Sequence, residues 1–410
     1  MRSIELFTGA GGLALGTHRA GFHHHAVVER DHDSCDTLRL NVKRCSLTGV
    51  DWPIHEADVA TFDYTPYAHV ALDLLAGGAP CQPFSLGGKH AGETDKRNMF
   101  PAIFRAVREL RPRVFLLENV KGLTRQGFSP YFDYIVEQLA FPHVAPLPNE
   151  GWKGHKARLA AYHDAGEDVI ERPWNQAPAY RYNVKYQVYN VADFGVPQER
   201  YRVFIVGFRH DLGVHWSFPV PTHSEDALLY MQYVDGSYWE EHGLEQRPAP
   251  AQLVKRVAQL ARKPKPLTLR WRTVRDAIKD LPEPIDRDPT PPITNHVGIP
   301  DARSYPGHTG SPWDWPAKAI KAGDHGNPGG ENMLRRDDGS VRYFTVRELA
   351  RLQTFPDEWH FANSWTESRR QLGNAVPVEM AETLANHVRA ALARIAGVAP
   401  VPLAELALVR

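Results

Sequence analysis

A single thiol, one carboxylate and a pair of guanidiniums stand where they could work together on a flat substrate. The thiol is Cys81, within Gly-Gly-Ala-Pro-Cys-Gln-Pro-Phe-Ser-Leu-Gly-Gly over residues 77–88. Pro80 and Pro83 fix φ, and the glycines on either side let backbone approach a ligand closely, so this run can hold a sulfur still beside a ring. A thiol reacts as its thiolate and titrates near a pKa of about 8.5, so it needs local help to be a nucleophile. A lone cysteine is more often a small buried hydrophobe; the Pro-Cys-Gln-Pro setting is what argues for chemistry. Glu118 follows the apolar residues Leu116 and Leu117 and precedes Asn119 and Val120. A carboxylate directly after an apolar strand is expected to project from the strand end into a cleft. Partial burial there would raise its pKa and let it share a proton with a ring nitrogen. A helix-capping or salt-bridged acid is the competing reading. Arg200 and Arg202 alternate along a strand-like run and are expected to share one face, where they suit a phosphate, a carboxylate or a carbonyl oxygen.

A second group of residues suits a nucleoside. Phe7-Thr8-Gly9-Ala10-Gly11-Gly12 is a glycine-punctuated loop between a strand-like and a helix-like stretch. Glu29 lies about twenty residues further on, at the end of the next strand, where a carboxylate can bind ribose hydroxyls. Asp58, in Glu56-Ala57-Asp58-Val59, could accept from an adenine amino group. Taken singly, each of these carboxylates is as readily a solvated strand-end residue, and the glycine loop alone also fits a dinucleotide fold.

Positioning such residues calls for parallel strands that end at one edge. The chain supplies strand signals at Ser3 to Phe7, Ala26 to Glu29, Leu72 to Ala76 and Val114 to Leu117. Helix signals fall between them, at Leu13 to Ala20, Ser34 to Arg44 and Arg97 to Arg111. Alternation of this kind implies a mostly parallel, Rossmann-like α/β sheet with helices on both faces. Its ligands are expected at the carboxyl ends of the strands, where Gly9, Glu29, Cys81 and Glu118 all emerge. At 410 residues the chain should divide into two lobes. The formal net charge is zero, so attraction to a polyanion must come from a local patch. Three cysteines without metal-ligand spacing imply neither a disulfide framework nor a metal centre. No signal-peptide pattern or membrane-length apolar run is present, and a cytoplasmic enzyme is expected.

The order of six motifs resembles that of the DNA (cytosine-5)-methyltransferases, from residue 4 to about residue 390. They are Glu5 to Gly12, Gly78 to Ser85, Glu118-Asn119-Val120, Gln198-Glu199-Arg200-Tyr201-Arg202, Tyr343 to Pro356, and Gln371 to Pro377. The resemblance implies that Cys81 adds to carbon 6 of a cytosine flipped out of duplex DNA. It implies that Glu118, supported by Asn119, contacts ring nitrogen 3, and that Arg202, with Arg200, holds the carbonyl at position 2. It implies S-adenosyl-L-methionine as methyl donor. Phe7, Gly9 and Gly11 would lie at its methionine end with Ala10, Gly12 and Pro80 in the same pocket, Glu29 at its ribose, Asp58 and Val59 on the adenine side, and Asn374 and Ala375 closing the pocket. The C-terminal helix, Val378 to Ile395, would then pack back on the N-terminal sheet. Residues 1–209 with 343–410 form the expected catalytic domain, and 210–342 a smaller, irregular target-recognition domain.

Two stretches depart from the common pattern. Arg30 stands where many members carry an aromatic residue over the adenine, and the run Arg97-Asn98-Met99-Phe100 is spaced one residue short. Extra sequence from Pro142 to Tyr182 reads as a surface loop or a partner site. In 210–342, five tryptophans accompany a stretch from Arg247 to Arg275 whose charges are all basic. Lys255, Arg256, Arg270 and Arg272 there, with Gln82 and Ser85 of the cysteine run, are the candidate DNA contacts. A docked helix with a solvated basic face is the alternative for Ala251 to Arg262, and the glycine-rich run Gly323 to Gly330 is expected to read the groove. Partners are double-stranded DNA and, in a restriction or defence system, other proteins. The rival functions are a transfer-RNA cytosine-5 methyltransferase and a DNA-binding subunit of a larger assembly.

Overall fold

The computed structural model describes residues 1–80, 98–164, 181–306, 308–323 and 332–395. Cys81, Gln82, Ser85 and Arg97 lie outside these residues, as does the glycine-rich run beyond Gly323. Seven strands form the central sheet: β1 (Arg2–Leu6), β2 (His23–Glu29), β3 (Ile54–Glu56), β4 (Leu74–Gly78), β5 (Val114–Val120), β6 (Tyr182–Asn190) and, after the two-residue β7 (Gln198–Glu199), β8 (Tyr201–Arg209). Their order is β3-β2-β1-β4-β5-β8-β6. β1 to β5 are parallel, whereas β8 runs antiparallel to both neighbours. The expected mostly parallel sheet is present. Its one reversal follows from the short connection between β6 and β8, which cannot carry the crossover a parallel pair needs. The order changes direction between β1 and β4, so the crevice beyond their carboxyl ends is the natural ligand site.

Helices cover both faces. α1 (Gly12–Arg19), α2 (His32–Lys43) and α3 (Cys45–Thr48) follow the first two strands. α4 (Phe100–Leu110) leads into β5, with Pro101 in its first turn and Arg111 in the left-handed region just before Pro112. α5 (Ser129–Ala140) and α4 pack on the face bearing Ile4, Leu6, Leu75 and Phe115. The extra sequence after residue 142 is not simply a surface loop. Its first part folds into α6 (Trp152–Asp164), whose His155 is fully buried against α5.

In the irregular lobe α7 (Glu225–Tyr233) and α8 (Ser237–Glu241) gather around Leu228, Tyr238, Trp239 and Trp271, with α9 (Val254–Leu260) beside α7, whereas α10 (Val274–Ile278) buries Val274, Ala277 and Ile278 in the cluster that holds Ala14, Leu38 and Leu349. Three of the five tryptophans of this lobe, Trp216, Trp239 and Trp271, are therefore core residues. The chain then returns through α11 (Val346–Leu352), α12 (Trp365–Asn374) and α13 (Val378–Ile395). α13 docks where expected, burying Met380, Leu384, Val388 and Leu392 with Leu13, Phe22 and Leu74. Gly16 permits it: a Cβ there would sit 2.4 Å from that of Ala381.

Beneath α1 the His24 ring is fully buried, bonded to Ser3 Oγ at 3.0 Å and to the Ala14 carbonyl at 2.9 Å. Burial pushes its pKa from 6.5 down to about 4. Below pH 6.5 the unfolded chain takes up a proton that the folded chain refuses, so this group withdraws stability from there down to about pH 4. The full effect is on the order of 3 kcal/mol. Urea unfolding at neutral and mildly acidic pH should show a smaller acid loss for His24→Gln than for the wild type.

Candidate active site

The register of two strands brings the first pair of functional side chains together. Val120 stands opposite Arg202 and Glu118 opposite Phe204, so Arg202 and Glu118 are diagonal neighbours on one face. Arg202 Nε lies 2.7 Å from Glu118 Oε1, and both side chains are largely buried. Burial raises the pKa of Glu118, while Arg202 and then Arg200 oppose that rise. The expected upward shift is thus present, but Glu118 sits inside β5 rather than beyond it. Its burial is made tolerable by Arg202. Gly78 of β4 is the register partner of Glu118, and a Cβ on it would lie 3.1 Å from Glu118 Oε2. Cys81 is three residues further along, so the chain keeps it within roughly 10 Å of that contact. Asn119 is buried and donates from Nδ2 to the Ala79 carbonyl at 3.1 Å, tying the end of β5 to the residue before Pro80.

Arg200 does not join this group. It is 1 % exposed, and its Nη atoms donate to the carbonyls of Ile320, Gly373 and Ala375. The shared-face expectation fails because Arg200 lies in the break between β7 and β8, where strand alternation does not hold. Arg200 therefore clamps the backbone on both sides of Asn374, which closes α12 with its side chain exposed.

The loop after β1 forms the second half of the site. Phe7 has φ 54° and Gly9 φ 55°, both left-handed; Phe7 accepts a strain that persists mainly where the surroundings enforce it. Glu29 accepts from Gly9 N at 2.7 Å through Oε2, and from Arg30 N and Asp31 N, each at 2.8 Å, through Oε1. Three donors occupy three of roughly four acceptor positions on a carboxylate, leaving room for a ribose hydroxyl. A Cβ on Gly9 would meet nothing within 4 Å, so one side of the loop is open. On Gly12 it would lie 2.2 Å from the Val376 carbonyl, so only glycine lets the segment with Asn374 and Ala375 close over α1. Ala10 and Val59 are buried in the core, and the Val59 carbonyl accepts from Arg105, so their side chains are not presented to a ligand. Pro80 is exposed at the end of the β4 loop. Arg30 makes an ion pair with Asp58 at 3.2 Å on the outer side of the pocket. A rigid carboxylate, an open glycine face and an exposed amide at the crevice between β1 and β4 fit S-adenosylmethionine.

Two residues at this edge were not singled out in the sequence. Tyr201 and Lys121 flank the Glu118–Arg202 pair, with Lys121 Nζ 4.5 Å from the centre of the exposed Tyr201 ring. Lys121 directly follows Glu118-Asn119-Val120, and that adjacency was the available signal.

The expected DNA contacts of the irregular lobe fare unevenly. Arg256 is engaged by Glu225 and Asp226, and Arg270 by Glu241 and Asp276. Arg272 reaches Glu379 of α13 at 3.0 Å. Arg256 and Arg270 thus tie parts of the lobe to one another, while Arg272 ties it to α13, and each is engaged by acids from outside a stretch that carries only basic charges. Lys255 is exposed on α9.

A family model described as C-5 cytosine-specific DNA methylase matches residues 1–141 and 169–390. The chain is 29% identical over 394 residues to the type II methyltransferase M.NgoMIV of Neisseria gonorrhoeae, covering 95% of this chain and 97% of that protein. It is 31% identical over 389 residues to the type II methyltransferase M.PspPI of Psychrobacter sp. (strain TA137), covering 92% and 76%. Among solved structures it resembles a Spodoptera frugiperda DNMT2 variant with a TM-score of 0.55 at 15% identity, covering 95% of this chain and 99% of that one. It also resembles the S. pombe Dnmt2 methyltransferase with a TM-score of 0.53 at 16% identity, covering 95% and 98%. At these identities the two structural likenesses speak for the fold.

The place of Arg200 carries a prediction. Arg200→Met takes the donor from the buried Ile320 and Gly373 carbonyls, leaves Ala375 with Gln353 alone, and should cost at least about 2 kcal/mol in urea unfolding. It should also weaken S-adenosylmethionine binding in calorimetry by releasing Asn374, and Arg200→Lys should not restore either property.

Proposed function

The chain belongs to the C-5 cytosine-specific DNA methylase family, and from that premise we propose that Cys81, Glu118 and Arg202 carry out the reaction through a covalent cysteine adduct. The enzyme transfers a methyl group from S-adenosylmethionine to carbon 5 of a cytosine in DNA. What supports the residue assignment is the buried Glu118–Arg202 pair toward the carboxyl end of β5, with Cys81 three residues along the chain from Gly78, the register partner of Glu118.

Carbon 5 of cytosine is a poor nucleophile until electrons are pushed into the ring. The Cys81 thiolate forms a bond to carbon 6, and the displaced π electrons move through the ring toward nitrogen 3. Glu118, whose proton affinity is raised by burial against the pull of Arg202, is the group placed to give a proton to that nitrogen. Arg202 sits where it can hold the carbonyl oxygen at position 2 and stabilise the same charge. S-adenosylmethionine, when bound, supplies an electrophilic methyl group. Glu29 and the loop Phe7 to Gly12 hold its ribose and methionine ends, and Asn374 and Ala375 cover it. Loss of the carbon-5 proton to a base returns electrons to the ring and breaks the sulfur–carbon bond. The base must leave the helix for these contacts, because stacked neighbours block both ring faces.

Residues 210–342 act as the target-recognition lobe, and the Lys121 and Tyr201 edge faces the DNA. The type II methyltransferase names of the relatives support a role in marking host DNA within a restriction-modification or phage-defence system, in the cytoplasm and at the nucleoid, alongside protein partners. Among the described residues no helix is long and apolar enough to cross a membrane.

DNA containing 5-fluorocytosine has no carbon-5 proton to lose, so it should trap the enzyme as a denaturant-stable adduct in the presence of S-adenosylmethionine. Cys81→Ser should bind S-adenosylmethionine normally and give no adduct, while Glu118→Gln should form product about 100-fold more slowly or worse. Product accumulation by Cys81→Ser would overturn the assignment. Bisulfite sequencing of DNA from expressing cells reads the target.

A further inference from the structure

Two side chains stand at the outer end of the ladder between β5 and β8. The register pairs Val120 with Arg202, so Lys121 and Tyr201 face each other one residue further out. Both are exposed, Tyr201 by 45%. Arg202 donates from Nη1 to the Tyr201 carbonyl at 2.8 Å, so the backbone that bears the ring is tied to the guanidinium that meets Glu118. A flipped nucleotide whose base lies against Glu118 and Arg202 must carry its sugar and phosphate out past this rim.

The Lys121 ammonium rests on a ring rather than on an acid. Its Nζ lies 4.5 Å from the centre of the Tyr201 ring, and among the described residues it pairs with no carboxylate. Acids do bear on the ring: burial raises the pKa of the Tyr201 hydroxyl, and Glu199, Asp193 and Glu225 raise it further. Each of these acids is already engaged by the irregular lobe. Trp315 Nε1 donates to Glu199 at 2.6 Å, Trp271 Nε1 donates to Asp193 at 2.9 Å, and Arg256 pairs with Glu225 at 2.7 Å. An aromatic face steadies a cation without neutralising it. Arg256, Arg270 and Arg272 are matched by carboxylates, whereas Lys121 presents an uncompensated charge beside the cytosine site.

We propose that Lys121 binds a phosphate of the target nucleotide itself, and that Tyr201 is the positioning residue that holds its ammonium at the rim of the pocket. The inference rests on the reading that Glu118 and Arg202 receive the cytosine and that this edge faces the DNA. A lysine meets a phosphate as a point charge, so the contact needs no forked geometry. It goes to the backbone and carries no sequence information; it sets the strand in register over the pocket. Its signature is electrostatic, because a neutralised phosphate releases a condensed counterion.

The test measures binding of the full-length chain, with S-adenosylhomocysteine present, to duplex DNA carrying the target that bisulfite sequencing reads, over a series of salt concentrations. Lys121→Gln should lower the slope of log affinity against log salt by about 1 and weaken binding about 5-fold at moderate salt, while Lys121→Arg should keep the slope. Tyr201→Leu should keep the slope and weaken binding about 2- to 5-fold. Added to Lys121→Gln it should cost nothing more, because the ring acts through the ammonium. Lys153→Gln removes another exposed lysine that lies over a ring, that of Trp152 on α6, and should leave the slope unchanged. Uncharged methylphosphonates on either side of the target cytosine should cost the wild type more than Lys121→Gln. An unchanged slope in Lys121→Gln, an equal methylphosphonate loss in both proteins, or a further loss in the double variant would overturn the assignment. Wild-type binding without salt dependence would instead overturn the reading of this edge as the DNA face, so the two failures are distinct.

Discussion

A carboxylate buried in the middle of a sheet is costly unless a cation meets it, and the core of this protein is arranged around one such meeting. Glu118 lies in β5 among Leu116, Leu117 and Asn119, and all four are buried. Left alone, it would abandon its charge or destabilise the strand by several kcal/mol. Arg202 reaches it because β8 runs antiparallel beside β5 in a register that makes the two residues diagonal neighbours. The reversed strand is therefore a working part of the site. A parallel strand in its place would have needed a crossover and delivered its residues from the opposite direction. The result is a carboxyl group whose proton affinity burial raises and Arg202 lowers, which suits proton exchange with a ring nitrogen.

The second organising contact is the clamp made by Arg200. One guanidinium gathers carbonyls from the irregular lobe at Ile320 and from the returning C-terminal segment at Gly373 and Ala375. Gln353 adds donors to the Leu372 and Ala375 carbonyls. Residues 173 and 175 positions apart in sequence are thus locked to the strand that bears Arg202. Arg200 thereby ties the backbone around Asn374 to the chain two residues before Arg202.

A chain of zero net charge that handles DNA must present its positive charge locally. Much of the basic stretch in the irregular lobe is neutralised internally, through Arg256, Arg270, Arg272 and also Arg275, which pairs with Asp314. These pairs stiffen a lobe that has little regular secondary structure. Lys121, beside the exposed Tyr201, stands out because it flanks the Glu118–Arg202 pair itself.

The sequence by itself determined the alternating α/β architecture, the strand-end positions of Gly9 and Glu29, and the amphipathic spacing of α13, because these depend on local signals. Apolar runs, glycine loops and helical spacing are all read within a few residues. It also gave Glu118 a raised pKa for the right reason, burial, although it placed the residue one structural step too late, beyond the strand rather than in it. Only the tertiary structure decided the partners of the arginines. Arg200 and Arg202 are two residues apart and look equivalent in the sequence, yet one clamps carbonyls while the other meets Glu118, since a break between β7 and β8 interrupts the alternation. Arg256 and Arg270 look like free cations until Glu225, Asp226, Glu241 and Asp276 fold back on them. The extra sequence after residue 142 looked like a loop, because the packing of Trp152 and His155 against α5 has no local signature. Charge pairing and close approach across long separations depend on where the backbone returns in space, and no short window of residues contains that information.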